Sequence, residues 1–271
     1  MQTLIFISIF LVIICFVIFS IRLKWWLKDI DYKIPRVLMY HMIANHLPKN
    51  KSKFNRLRVS PKSFEKQLIW LKKNGFKSYF LSEISPNLEP KSVVITFDDG
   101  YKDNFTNALP LLKKYGFKAT IFIVCNRFDN NWASDKDLKK PSPELNAEEM
   151  LSDDEVKMMI ESGFIEIGSH TLNHANLPSL SLKEKEMEIK NSKSLIEEKF
   201  GITCKSFAYP FGFYDKNDII LAKNSGYKFA TTTTPDVVRS KYSNFEIPRL
   251  MISGRGNLLH FILKIKKGRS R

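Results

Sequence analysis

Cysteine is scarce in this chain, which has three in 271 residues. No CxxC pair occurs, and its absence removes the usual sequence signs of a zinc ribbon or a thioredoxin-like redox site. Cys15 lies inside an apolar run, which leaves Cys125 and Cys204 for the rest of the chain. These two could form one disulfide, but we expect two buried free thiols.

Acidic residues are also in short supply. The chain has 28 Asp and Glu against 43 Lys and Arg, and its formal net charge is +15. A charge of this size favours anionic surroundings, such as nucleic acid, phospholipid headgroups or an anionic glycan. No recognised nucleic-acid-binding motif accompanies the charge, so we expect no nucleic-acid partner.

The start of the chain lacks charge altogether. TLIFISIFLVIICFVIFSI (3–21) is 19 uncharged residues, enough to cross a hydrocarbon core as a helix. A cleavable signal peptide has a basic segment before its apolar core and a small-residue cleavage site after it. Here no Lys or Arg precedes Arg22, and no A-x-A follows. We therefore predict an uncleaved single-pass transmembrane anchor over residues 1–22, with Trp25 and Trp26 at the membrane interface.

Beyond the anchor, apolar strand-like segments alternate with segments that carry helix signals. Serine caps mark helix starts at Ser60, Ser152 and Ser181, and the last of these begins a long charged helix that is predicted to run to about Phe200. The order argues for a parallel α/β architecture, and the length suits a barrel better than an open sheet. The predicted strands are RVLMYHMI (36–43), VVITF (93–97), KATIFIV (118–124), FIEIGSH (164–170), CKSFAYPFG (204–212) and YKFATT (227–232).

The same pattern sets the expected domain limits. A juxtamembrane linker covers 23–35, one α/β domain covers 36–255, and a basic C-terminal tail covers 256–271. The tail contains LLHFILKIKK, which predicts an amphipathic terminal helix. Within the domain, the polar stretch 126–147 is predicted to be a long loop.

Unusual residues stand at the ends of four predicted strands. Because active sites in parallel α/β folds gather at the carboxyl ends of the strands, we expect these residues to form one site. Each motif alone has an ordinary explanation; DDG, for example, is most often a turn with solvated acids. Their shared placement makes a metal-dependent hydrolase the favoured interpretation. The four ends are Tyr40-His41, Asp98-Asp99-Gly100, Ser169-His170 with His174 beyond it, and Tyr209-Pro210-Phe211-Gly212.

The residue types at these ends suggest the chemistry. His170 and His174 lie four residues apart, so both imidazoles can face one point if the segment turns helically. One carboxylate from Asp98 or Asp99 would complete a three-ligand set with room for water and substrate, as in hydrolytic zinc sites. The other carboxylate could then accept a proton from the attacking water.

Three motifs together resemble a known family. TFDDG (96–100), SHTLNH (169–174) and AYPFG (208–212) are similar, in order and spacing, to motifs of the polysaccharide deacetylases of carbohydrate esterase family 4. The resemblance covers roughly residues 35–250. It implies a distorted (β/α) barrel, a divalent metal that is often zinc, and hydrolytic removal of an N-acetyl, sometimes an O-acetyl, group from a sugar.

The resemblance also implies roles for individual residues. Asp98 would be the general base, and Asp99 would bind the metal together with His170 and His174. Phe211, which follows a proline in the third motif, would donate its backbone N–H to the oxyanion. A metal and an amide on one developing oxyanion is an arrangement that favours electrostatic catalysis.

The chain departs from the family pattern in two places near the base. The arginine of the family's RxPY motif is replaced by Ala208, and no Asp-Trp motif occurs near 233–240. Arg249, in IPRL, is a candidate for the missing positive charge.

The family's general-acid histidine has two candidates here. LLH (258–260) matches the usual C-terminal Leu-x-His motif, but it lies in the amphipathic tail. In the poly-N-acetylglucosamine deacetylases the order is permuted and the acid histidine lies near the N-terminus, which LMYHMI resembles. We therefore predict that His41, rather than His260, is the acid.

These inferences define the expected function: a membrane-anchored hydrolase of carbon–nitrogen bonds other than peptide bonds. It would use a divalent metal, zinc above others, to remove N-acetyl groups from a glycan that resembles poly-N-acetylglucosamine or a cell-envelope polysaccharide. One alternative is a deacylase of a lipid-linked sugar at the inner membrane face. Another is a glycan-binding homologue that has lost activity, although all three metal ligands are present.

The two arguments about membrane side disagree. Basic residues follow the apolar run and none precedes it, which places the domain in the cytoplasm by the positive-inside rule. The family resemblance places it on the exported side, where polymeric glycans are, and long domains can translocate regardless of charge. We expect the exported side. The basic residues are Arg22, Lys24, Lys28, Lys33 and Arg36.

Overall fold

The computed structural model describes residues 2–23, 25–128, 142–237 and 242–268. Its centre is an eight-stranded sheet in the order β7-β6-β5-β4-β3-β1-β8, with β2 paired to β3 off this path. The strands are β1 (Arg36–Tyr40), β2 (Lys77–Tyr79), β3 (Ser92–Phe97), β4 (Ala119–Ile123), β5 (Ile165–Ser169), β6 (Ser206–Ala208), β7 (Phe229–Thr231) and β8 (Leu250–Met251).

Every pairing between these strands is parallel, which confirms the parallel α/β prediction. The sheet curls into a half-barrel whose two end strands are β7 and β8. One short segment touches both ends, because Ile247 forms a bridge with Thr231 of β7 while Leu250 of β8 pairs with Leu38 of β1. The predicted barrel is thus present in distorted form.

The strands β1, β3 and β4 are buried on both faces, as expected for a parallel sheet covered by helices. In β1 and β3 the side chains alternate between two apolar clusters. Leu38 and Ile95 belong to the larger cluster, which also contains helix residues such as Phe64. Val37 and Val94 point to the smaller cluster on the opposite face. This alternation explains why the strand sequences are continuously apolar.

The helices largely follow the predicted signals. Ser60 accepts a hydrogen bond from the Ser63 N–H, and both Ser152 and Ser181 form capping boxes. The α-helices are α1 (Gln2–Leu23), α2 (Pro61–Lys73), α3 (Leu109–Tyr115), α4 (Pro143–Asn146), α5 (Asp153–Glu161), α6 (Leu182–Glu186), α7 (Ser192–Phe200), α8 (Lys216–Asn224) and α9 (Leu258–Lys267).

Some elements differ from the predictions. A π-helical turn (Asn104–Ala108) precedes α3, and another (Met187–Asn191) joins α6 to α7 within the predicted long helix. The short strands β2 and β8 were not predicted. The predicted loop over 126–147 contains α4, and its part from 129 to 141 lies outside the described residues.

The two ends of the chain carry helices. α1 covers the apolar run, but among the residues described here no helix has the combination of length and hydropathy needed to cross a membrane. At the other end α9 confirms the predicted terminal helix. It is packed rather than peripheral, because Phe261 and Ile265 are buried. Arg269 and Arg271 of the predicted basic tail lie outside the described residues.

Candidate active site

The first part of the site is the aspartate pair after β3. The backbone N–H of Asp98 donates to the Tyr40 carbonyl at 3.0 Å, so Asp98 still belongs to the ladder with β1. The turn begins one residue later, because Asp99 (φ 77°) and Gly100 (φ 85°) have left-handed backbone. A Cβ atom on Gly100 would lie 3.1 Å from Cγ2 of Ile123. The glycine therefore lets the turn pass close to β4.

His170 and His174 follow β5 and are joined by a tight turn. The His170 N–H donates to the Ile123 carbonyl at 2.9 Å, which continues the pairing of β5 with β4. The spacing suggested a helical turn, but the structure has left-handed backbone at Thr171 (φ 69°) and His174 (φ 52°). Such backbone is uncommon outside glycine and persists only where surrounding contacts hold it.

Asp99, His170 and His174 bring three potential metal ligands together. Their ligand atoms lie within 4.8 Å of one another, and all three residues are buried. Nε2 of each histidine is 3.5 Å from Oδ1 of Asp99. Two bonds of about 2.1 Å at a tetrahedral angle place their ligand atoms about 3.4 Å apart. The spacing and the donor set of two imidazoles and one carboxylate therefore fit a zinc ion.

The ring of His170 is oriented for this task. Its Nδ1 lies 2.8 Å from the carbonyl oxygen of Ala208. Because a carbonyl can only accept, Nδ1 carries the proton and Nε2 presents its lone pair to the site. Burial lowers the pKa of His170 and favours the neutral ring that metal binding needs.

The two neighbouring carboxyl groups have opposite pKa shifts. Burial, and after it the charge of Asp98, raise the pKa of Asp99 to about 8. Burial also acts to raise the pKa of Asp98, but the guanidinium of Arg249 outweighs it and the pKa falls to about 2. Asp98 is therefore ionised at neutral pH, whereas Asp99 needs a nearby cation to ionise fully. This need is a second reason that the cluster fits a metal.

Arg249 holds Asp98 with two parallel hydrogen bonds. Nη1 donates to Oδ1 at 2.6 Å and Nη2 donates to Oδ2 at 2.8 Å. Nε of Arg249 donates to the Thr232 carbonyl, and Nη1 also donates to Oγ1 of Thr96, each at 3.0 Å. The arginine is fully buried. It thus places a positive charge next to Asp98. The sequence suggested Arg249 for this role because Ala208 replaces the arginine of the family motif.

His41 follows β1 and lies within electrostatic reach of Asp98, Arg249 and His170. Burial lowers its pKa to about 4, so its ring is neutral at pH 7. Its carbonyl accepts a hydrogen bond from Nδ2 of Asn104 at 2.9 Å. The structure therefore brings His41 to the same end of the sheet as the aspartates.

His260 has a different environment. It is exposed in the first turn of α9, where both its backbone N–H and its Nδ1 meet Oδ1 of the N-cap residue Asn257, at 3.0 and 2.7 Å. The helix packs on α2, with an edge-to-face contact between Phe261 and Trp70 at 6.1 Å. His260 thus takes part in a helix cap.

Phe211 lies in a 3₁₀ turn after β6. Its backbone is left-handed (φ 59°), and so is that of Gly212 (φ 73°). A Cβ atom on Gly212 would lie 2.0 Å from Oγ1 of Thr233, so only glycine fits there. The Phe211 ring is 4.6 Å from the ring of His174. The turn therefore places Phe211 beside the ligand cluster.

Sequence reasoning missed two contributors. Thr96, within β3, accepts a hydrogen bond from Arg249. The sequence did contain a signal for it, because residues two apart on a strand share a face and Thr96 therefore lies on the same side as Asp98. Ala208 contributes only a carbonyl to His170, and a backbone group leaves no signal in the sequence.

Comparison with known proteins points to one family. The family profile for polysaccharide deacetylase matches residues 85–230. The Bacillus subtilis protein YxkH, whose name places it among the polysaccharide deacetylases, is 32% identical over an alignment of 235 residues that covers 84% of this chain and 75% of the relative. A poly-beta-1,6-N-acetyl-D-glucosamine N-deacetylase of Staphylococcus aureus is 29% identical over an alignment of 209 residues that covers 72% of this chain and 68% of the relative.

Solved structures agree as well. The crystal structure of a polysaccharide deacetylase from Bacillus cereus superposes with a TM-score of 0.72 at 30% identity, covering 88% of this chain and 70% of the other. The chain therefore belongs to the polysaccharide deacetylase family of hydrolases.

Proposed function

We propose that this chain is a metal-dependent hydrolase that removes N-acetyl groups from an N-acetylated amino-sugar glycan of the poly-N-acetylglucosamine type. The observation that carries the proposal is the buried cluster of Asp99, His170 and His174 beside the ionised Asp98–Arg249 pair. A binding protein that had lost activity would have no need to keep an ionised carboxylate next to a complete ligand set.

Asp99, His170 and His174 would hold the metal. A zinc ion bound there would polarise the acetyl carbonyl and make a water molecule easier to deprotonate. Asp98 would accept the proton of the attacking water, since Arg249 keeps it ionised and fixes both its oxygens.

Phe211 and His41 would serve the two later stages of the reaction, which are stabilisation of the oxyanion and protonation of the leaving amine. The left-handed turn at Phe211 would offer its backbone N–H to the oxyanion. His41 starts neutral, so it must gain a proton before it can give one to the leaving amine. The proton that Asp98 takes from the attacking water would be passed to His41, and His41 would then give it to the leaving amine.

The entry of the chain into the barrel favours a polymeric glycan over a lipid-linked sugar. Arg36, the first residue of β1, donates hydrogen bonds to the carbonyls of Asp31 and Ile30 at 3.0 and 2.9 Å, so the linker meets the amino ends of the strands. The site lies at the carboxyl ends, roughly 16 Å further along a five-residue strand. A sugar held in the membrane beside the linker would be at the wrong end.

Acetate release tests the proposed function. The purified chain would be incubated with poly-β-1,6-N-acetylglucosamine, chitin oligomers and N-acetylated peptidoglycan fragments, with and without a chelator and with zinc added back. We expect acetate from at least one of these glycans, loss with chelator and recovery with zinc. No release from any glycan by the zinc-loaded chain would contradict the proposal.

Replacement of His174 tests the metal assignment. We expect His174→Ala to bind far less than the one zinc per chain of the parent, because two ligands remain of a three-ligand set. Zinc content after dialysis would be measured by atomic emission. His260→Ala is the matched control, since that ring lies in a helix cap and should leave the metal content unchanged. An unchanged stoichiometry in His174→Ala would remove the assignment.

The choice of general acid can be tested with the same control. We expect His41→Ala to lower kcat ~10²–10⁴-fold, the range for loss of a proton donor, while His260→Ala stays near the parent. Point substitution is needed here, because deleting the end of the chain would also remove α9, whose Ile265 carbonyl accepts from Nε of Arg36 at 2.8 Å. The reverse pattern of activities would move the acid role to the C-terminal helix.

We also propose that the apolar run anchors the chain in a membrane, with the domain on the exported side. Its support is the uncharged sequence over 3–21 and the polymeric substrate proposed above. We expect the full-length chain to stay with carbonate-washed membranes, and an alkaline phosphatase fused after Arg271 to be active. A signal only from a cytoplasmic reporter would favour the lipid-linked-sugar alternative.

A further inference from the structure

The turn that joins the two histidine ligands is an unfavourable backbone conformation. Two of its residues, Thr171 (φ 69°) and His174 (φ 52°), are left-handed without being glycine. A β-branched residue such as threonine is especially uncommon there. The convergence of His170 and His174 on Asp99 depends on this conformation, so some other group must stabilise it.

Glu188 makes the contacts that stabilise it. Its Oε2 accepts hydrogen bonds from the backbone N–H groups of Leu172 at 2.9 Å and Asn173 at 3.0 Å. Its Oε1 accepts from Nδ2 of Asn173 at 2.6 Å. One carboxylate thus binds the two residues at the middle of the turn, between the two ligands. Hydrogen bonds to a charged acceptor are the strong ones, and Glu188 is buried.

The helix that carries Glu188 is shaped for this contact. Glu188 lies in the π-helical turn (Met187–Asn191), and such turns are frequent at functional sites. The turn is tied to the end of β5, because Oγ of Ser169 donates to Oγ of Ser192 at 2.8 Å, which in turn donates to the Ile189 carbonyl at 2.9 Å. The carboxylate is therefore held in place relative to the strand that carries His170.

We propose that Glu188 is a positioning residue for the metal site: its carboxylate holds the turn between His170 and His174 so that both Nε2 atoms face Asp99. Glu188 is not one of the three proposed ligands and would act through the turn. The inference rests on the proposed function only in taking Asp99, His170 and His174 as metal ligands, and it predicts that zinc affinity depends on a residue outside the ligand set.

Zinc affinity is the measurement that separates positioning from general stability. Metal-free parent and variants would be titrated with zinc ion in competition with a chromophoric chelator, and their thermal unfolding would be recorded without metal. We expect Glu188→Ala to bind zinc ~10–100-fold more weakly, the usual cost of losing a supporting contact. Glu188→Gln should stay within a few-fold of the parent, because its amide oxygen can still accept from both backbone N–H groups.

The matched control is Glu166→Ala. Glu166 lies on β5 itself and accepts hydrogen bonds from Thr120 and Ser206, so its loss also removes a part-buried carboxylate from a polar network. It stands four residues before His170 and does not bind the turn. We expect this variant to lose thermal stability while its zinc affinity stays that of the parent.

Two results would overturn the inference. One is that Glu188→Ala binds zinc as tightly as the parent, and the other is that Glu166→Ala loses as much zinc affinity as Glu188→Ala. If Glu188→Ala does not fold, Glu188→Asp replaces it. The aspartate side chain keeps its charge but is too short to reach both N–H groups, so this variant should bind zinc more weakly than Glu188→Gln. The opposite order of zinc affinities would overturn the proposal. A parent that binds zinc but releases no acetate would contradict the proposed function and leave the role of Glu188 intact.

Discussion

Asp98→Asn is expected to remove nearly all acetate release while the chain still binds one zinc ion. The asparagine side chain cannot take a proton from water, and loss of a general base lowers the rate ~10²–10⁴-fold. Its amide oxygen can still accept one hydrogen bond from Arg249, so the site should keep its arrangement, at a cost in stability from the broken ion pair. The measurements are kcat for acetate release and zinc content by atomic emission, with every variant assayed at saturating zinc.

Asp99→Asn is the matched comparison for this prediction. It makes the same change at the neighbouring residue, which shares a buried turn but belongs to the proposed ligand set. We expect its zinc content to fall, together with its activity. If Asp98→Asn lost zinc and Asp99→Asn kept it, the roles of the two aspartates would be exchanged.

The assignment of these two roles shows where sequence reasoning ends. The pattern DDG could suggest one ligand and one base, but the residues alone did not say which was which, and the family motif supplied the order. In the structure the distinction is physical. Arg249 lies on Asp98 and lowers its pKa to about 2, whereas Asp99 has a pKa of about 8 without a cation. Pairs of carboxyl groups whose environments separate their pKa values are typical of acid–base sites.

Local signals were read correctly because their causes are local. Serine caps at Ser60, Ser152 and Ser181 bond N–H groups three residues away, so their partners are visible in the sequence. Strand ends could be aligned because parallel strands present their carboxyl ends at one edge. These two regularities were enough to predict most of the proposed site from the sequence.

Contacts between distant residues could not be predicted in the same way. β8 has two residues, too few for a periodic pattern, yet it fixes the segment that carries Arg249. The turn between His170 and His174 was expected to be helical from its spacing, but contacts from Glu188 select a left-handed path. The four-residue spacing correctly predicted that the two histidines lie together, but it did not predict the backbone conformation of the turn between them.

Loss of Arg249 should have the largest effect on stability. In Arg249→Met the Asp98 carboxylate would remain buried without its partner, and removal of one member of a buried ion pair costs about 3–5 kcal/mol. Urea unfolding of the metal-free variant at pH 7 would measure this loss. The double variant Asp98→Asn/Arg249→Met removes both charges, so we expect it to be more stable than Arg249→Met alone. A double variant that is destabilised by the sum of the two single changes would show that the pair is not coupled.

The loss should also depend on pH, with a definite sign. In the parent the pKa of Asp98 is about 2, below its ordinary value of 3.8, so the pair stabilises the fold above about pH 4 and this stability is lost as the pH falls toward 2. Without Arg249, burial is left to raise the pKa of Asp98, and protonation on acidification then relieves the buried charge. The difference in unfolding free energy between parent and Arg249→Met should therefore shrink from pH 7 to pH 4.

The pH dependence of activity should shift as well. The acid limb of kcat/KM should move to higher pH in Arg249→Met, since the base becomes protonated at a higher pH. The acid limb of Arg249→Lys should lie between those of the parent and Arg249→Met, because lysine keeps the charge without the paired geometry. An acid limb that stays in place in all three proteins would mean that Asp98 is not the base.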